Sequence, residues 1–116
     1  MKRLTLAIAL LLPLAIQGCV TATPAADGAA RGQALAQQRC ATCHAIAPHA
    51  LSPNPDAPPF PAIANQRELT RETLHDFLRD SHNYPAAMNF TLEEAQVDDL
   101  AQFMITLQRP DYHPPI

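Results

Sequence analysis

The chain divides by its pattern of apolar and polar positions into one unbroken apolar run, three stretches with helical spacing and two proline-rich segments. Leu4 to Ile16 is apolar almost throughout. From Asp27 to Arg39 the apolar positions are mostly small: Gly28, Ala29, Ala30, Gly32 and Ala36, with Leu35. Asp27 suits an N-cap, and the small face predicts a helix whose backbone lies close to a neighbour. Thr70 is placed to cap a helix running to about Asp80, with Leu74, Phe77 and Leu78 on one face at i, i+3, i+4. Asn83 and Pro85 end it. The clearest period comes last. Val97, Leu100, Ala101, Met104 and Leu107 form an apolar stripe, Thr91 and Glu94 have capping-box spacing, and Arg109-Pro110 stops the helix. Pro48 to Pro61 carries six prolines in fourteen residues, which predicts an ordered, stiff loop instead of helix. The tail from Asp111 to Ile116 is predicted to be extended. No strand pattern competes, so the fold class is all-α.

Between the first helix and the proline loop stands Cys40-Ala41-Thr42-Cys43-His44. C-x-x-C-H is the attachment signature of c-type haem. The thiols of Cys40 and Cys43 add to the porphyrin vinyl groups, and His44 supplies a proximal imidazole to the iron. A redox dithiol needs only the C-x-x-C part. A zinc site needs a second ligand pair, which this sequence lacks. The proline loop follows His44 directly, which suits a loop wrapped over one haem edge.

The N-terminus changes the picture of where such a domain works. Met1-Lys2-Arg3 is a basic lead, and the apolar run after it is too short for an ordinary transmembrane helix. Ile16-Gln17-Gly18-Cys19 resembles a bacterial lipobox, although Gln17 is unusual at its position. That resemblance implies cleavage before Cys19 and lipid attachment to its thiol and amine, with an ordinary secretory signal as the alternative. Residues 1–18 then form a lipoprotein signal peptide, 19–26 a lipidated tether, 27–108 the haem domain and 109–116 the tail. All three cysteines are used without a disulfide. Val20, which is not Asp, favours the outer membrane over the inner one.

Charge and size follow. The full chain of 116 residues has formal charge −3. Removing residues 1–18 leaves 98 residues, with 6 Arg against 11 acidic side chains and no lysine, a charge of −5. An acidic chain of this kind argues against nucleic acid as a partner. A domain of this length has a marginal core of its own, and a covalent haem would supply an apolar centre.

Gly32-x-x-Leu35 ahead of Cys40-x-x-Cys43-His44, a proline-rich loop, and a methionine before a final amphipathic helix together resemble class I cytochrome c, most closely the bacterial monohaem form. The likeness spans nearly all of residues 27 to 108. It implies a small cytochrome c fold with three to four helices around one covalent haem c, the terminal helices crossing. It places the axial methionine at Met88, with His82 and His49 as rival ligands. Met104 lies on the helical stripe and reads as core. His75 and His113 read as surface residues. The family's proline carbonyl that accepts the proximal histidine's second N–H falls on Pro58, in Pro58-Pro59-Phe60. Gly32 and Phe103 match the contact between the terminal helices. The ring of docking lysines found in mitochondrial forms is absent. The implied function is extracytoplasmic electron transfer between redox partner proteins, without enzyme activity, in a domain tied to a membrane by its lipid anchor. Two alternatives stand beside it: an electron-relay subunit of a larger oxidoreductase, and a haem sensor or peroxidase-like protein with an open sixth site.

Overall fold

A computed structural model describes residues 24–80 and 90–114. Four helices occupy them: α1 (Pro24–Arg39), α2 (Phe60–Ala64), α3 (Arg71–Asp80) and α4 (Glu94–Ile105). Among the described residues there is no strand, in agreement with the all-α expectation, and no helix long and apolar enough to cross a membrane.

Helix α1 begins at Pro24, three residues before the expected cap. Proline has no N–H to lose at a helix start, and its fixed φ suits the first position. Residues 24–26, read above as tether, are therefore the opening turn. Asp27 lies inside that turn, where its charge meets the positive end of the helix dipole.

The buried face of α1 is Gly28, Gly32 and Ala36, and it packs against α4. A Cβ on Gly32 would overlap the Asp99 carbonyl and stand 2.9 Å from the Phe103 Cβ. The two backbones thus meet where only a glycine fits, with Phe103 filling the space beside it. Arg31 ties the same crossing from outside. Its Nε and Nη2 donate to the two Asp99 carboxylate oxygens, each at 2.7 Å.

Thr70 caps α3 as its position predicts. Its Oγ1 accepts from the Thr73 N–H at 3.2 Å, and Thr73 Oγ1 accepts from the Thr70 N–H at 3.0 Å. Leu74 and Leu78 are buried in the core, but Phe77 is 55% exposed. The helix is rolled toward His75, away from Phe77. His75, expected at the surface, has a side chain only 17% exposed, with Nε2 3.2 Å from a Glu94 carboxylate oxygen and 3.6 Å from one of Asp98.

Helix α4 starts two residues later than Thr91 implies. Glu93 is the N-cap, and Gln96 Oε1 accepts from its N–H at 3.0 Å. Val97, Leu100, Ala101, Met104 and Leu107 are all buried, as is Phe103. After α4 the tail opens on a turn: the Tyr112 N–H donates to the Arg109 carbonyl at 3.2 Å.

Candidate haem site

The C-x-x-C-H residues form the turn that leaves α1. The Cys40 N–H bonds the Ala36 carbonyl at 2.9 Å, and the Cys43 and His44 N–H groups both reach back to the Cys40 carbonyl, at 3.0 and 2.8 Å. One turn therefore presents both thiols and the imidazole. Both cysteines are free. Burial, with Cys43 close by, pushes the Cys40 thiol up to about 11. A dithiol oxidoreductase needs the opposite shift, because the thiolate is its nucleophile. Among the described residues no group of His, Cys, Asp and Glu is arranged to hold a bare metal ion.

Proline chemistry and hydrogen bonds shape the segment after His44. The Asn54 N–H donates to the Cys43 carbonyl at 3.2 Å, and the Phe60 N–H to the Ala45 carbonyl at 2.8 Å. Ser52 Oγ accepts from the Ala45 N–H at 3.0 Å. The loop is thereby closed on its own stem. Its end enters α2 with Pro61 in the first turn, so the last proline of the run starts a helix where the sequence predicts loop. Six prolines exclude a longer helix, but the first turn tolerates one.

This closure sets the imidazole. His44 Nδ1 stands 2.7 Å from the Pro58 carbonyl oxygen. A carbonyl only accepts, so Nδ1 carries the proton and Nε2 of the neutral ring keeps its lone pair. The Phe60 ring lies against it, centroids 5.5 Å apart and tilted by 50°. Two free thiols, an imidazole with a fixed tautomer and an available Nε2 on one turn fit a haem bound through thioethers and a proximal histidine.

Met104 is buried in α4 at 1% exposure and belongs to the core. His49, a rival ligand on sequence grounds, has its Nε2 3.1 Å from Arg109 Nη1. His113 is exposed. Met88, His82 and Cys19 lie outside the described residues.

Sequence reasoning passed over Asn65. This residue is the C-cap of α2. Its Nδ2 donates to the carbonyls of Pro61, at 2.8 Å, and Leu107, at 3.0 Å, while Oδ1 accepts from the Arg109 N–H at 2.7 Å. The only signal available was an asparagine just past a short apolar segment, a position where helices often end.

No curated protein and no solved structure matches the chain. Residues 27–104, from the first turn of α1 to the buried face of α4, match the family described as cytochrome C oxidase, cbb3-type, subunit III. With the covalent-attachment turn and its oriented histidine inside that span, the chain belongs to this family of c-type cytochrome domains, whose haem serves electron transfer.

Proposed function

We propose that this chain is a class I monohaem cytochrome c of a bacterial envelope, which carries single electrons between redox proteins on the periplasmic side. Haem c, when bound, supplies reversible one-electron exchange at iron. Cys40 and Cys43 hold it by thioether bonds. His44 Nε2 would ligate the iron, and Met88 is assigned as its second protein ligand. The observation that carries the reading is the 2.7 Å contact of His44 Nδ1 with the Pro58 carbonyl. That bond fixes the tautomer and increases the basicity of the ligating nitrogen. A thioether opposite favours Fe(II) and raises the potential relative to a second histidine. Cys19 is assigned the lipid that tethers the domain, with the outer membrane preferred because Val20 follows.

The test is the visible and near-infrared spectrum of the purified protein in both redox states, followed by exposure to carbon monoxide. His/Met ligation predicts a c-type haem with a weak sulfur-to-iron charge-transfer band in the ferric form, and no rapid carbon monoxide binding in the ferrous form. Met88→Ala removes the band and opens the iron. Rapid binding by the unaltered protein refutes the carrier assignment in favour of a sensor or peroxidase-like role. Fatty-acid labelling that survives Cys19→Ala refutes the anchor.

A second reading is favoured by the description of the matching family, which names an oxidase subunit. In it the same haem relays electrons inside a larger membrane oxidoreductase. Gentle detergent extraction decides between them: a free carrier leaves the membrane alone, and a relay subunit leaves in a stable complex.

A further inference from the structure

We infer that Asn65, with Arg109, is a positioning residue for the proximal histidine: a clasp that ties the C-terminal turn to the proline loop and so holds the Pro58 carbonyl on His44. The inference rests on the haem reading above.

Loop and tail do not pack continuously. A cleft of about 470 Å³ lies between them, walled by Pro48, Pro59 and Pro61 from the loop and by Leu107 and Tyr112 from the tail. Apolar contact seats Phe60 and Ala64 in the same core as Leu100, Met104 and Leu107. Polar bonds at the rim of the cleft add direction to that contact. One Asn65 side chain makes three, reaching Pro61, Leu107 and Arg109. Arg109 adds a fourth link through Nη1 to His49 Nε2 at 3.1 Å. A guanidinium only donates, so this bond requires neutral His49 with its proton on Nδ1. His49 sits in the left-handed region at φ 61°, a conformation that surrounding contacts must hold for a residue with a Cβ.

From Asn65 the connection to His44 is short. Asn65 anchors the end of α2 to the end of α4. Within α2 the amides of Ala62 and Ile63 bind the Pro59 carbonyl at 2.9 and 3.1 Å. Pro58 and Pro59 both have φ fixed by their rings. The Pro58 carbonyl is thus held by a segment with little torsional freedom, whose far end is secured by Asn65. Loosening that end lets the carbonyl drift from Nδ1. A weaker hydrogen bond makes the imidazole a poorer donor to iron. Ferric haem then loses more stabilisation than ferrous, and the potential rises.

The experiment compares holoprotein carrying Asn65→Ala with unaltered holoprotein by spectroelectrochemical titration. The exchange of the His44 Nδ1–H with water is followed by proton NMR of the ferrous form. The expected result is at least a threefold shift of the one-electron equilibrium toward Fe(II), about 30 mV on a scale of 59 mV per tenfold, together with several-fold faster Nδ1–H exchange. Arg31→Ala serves as the control. It breaks the ion pair at the α1–α4 crossing, far from the loop in the hydrogen-bond scheme, and should leave potential and exchange unchanged. An unmoved potential in Asn65→Ala, or an equal shift in Arg31→Ala, overturns the proposal, because the residue would then act only on general stability. Should Asn65→Ala fail to fold, Asn65→Asp, which loses both Nδ2 donations but keeps an oxygen for the Arg109 N–H, is judged by the same criteria. A pyridine haemochrome spectrum of the unaltered chain is taken first. Absence of c-type haem there refutes the underlying reading, whereas intact haem with an unmoved potential refutes only the clasp.

Discussion

Two regions of this small domain are held by opposite means. At the crossing of α1 and α4 the constraint is volume: Gly32 is a glycine because the Asp99 carbonyl and Phe103 Cβ occupy the room a side chain would need. In the proline loop the constraint is polar satisfaction. Its shape follows from backbone amides and three side chains, Ser52, His44 and Asn65, finding acceptors or donors. The crossing tolerates no added atoms yet makes few specific polar demands. The loop, beside an open cleft, tolerates added volume but not lost partners. This division suits a domain whose cofactor must be oriented: close packing keeps the frame, and directional bonds aim the ligand.

The largest effect comes from the turn between the two regions, which leaves α1 and leads into the loop. With Cys40→Ala and Cys43→Ala combined, no haem should survive denaturing extraction as judged by the pyridine haemochrome spectrum. Covalently retained haem in the double variant would show that the turn is not its attachment point. Next, Gly32→Ala breaks the crossing. Overpacking costs about 1–3 kcal/mol, and alanine's better helix propensity returns about 1 kcal/mol. Because the clash is with the Asp99 backbone, the upper end of that cost applies, and a net loss of about 2 kcal/mol, read as a midpoint fall of roughly 8–16 °C for a domain of this size, should leave the haem spectrum unaltered. A changed spectrum with unchanged melting would reverse the proposed division of labour.

Smaller changes sharpen the contrast. Thr70→Ala removes the cap of α3 and should cost about 1 kcal/mol in denaturant titration, with Thr70→Ser restoring most of it. Smallest is the acid response of the tail. Hydrogen bonds from Arg109 hold the exposed Asp111 carboxyl below its ordinary 3.8. For a depressed carboxyl the added stability is present above the ordinary value and is lost as pH falls through the lowered one. Melting of the unaltered protein should therefore decline slightly faster than that of Asp111→Asn as pH is lowered below about 4. Parallel curves would remove this pair from the forces holding the tail.

Much of this molecule is legible in its residues taken alone. C-x-x-C-H specifies covalent haem chemistry because two thiols and an imidazole at that spacing share one turn. The stripe Val97, Leu100, Ala101, Met104 specifies α4 because a helix repeats every 3.6 residues, although the helix ends at Ile105, ahead of Leu107 and of the stop expected at Arg109-Pro110. Small residues at Gly28, Gly32 and Ala36 announce a close crossing. Tertiary structure alone decided the rest. Helix α3 is rolled to bring His75 to Glu94 and Asp98, leaving Phe77 exposed, since a period shows which residues share a face but not how far a neighbour covers it. Helix α1 starts at Pro24 and the cap of α4 moved to Glu93, because a start is chosen among several competent residues by where the chain enters the helix. Asn65 carries no motif at all. Two of its three bonds join segments more than forty residues apart in the chain, and only folding brings that carbonyl and that amide within reach of one side chain.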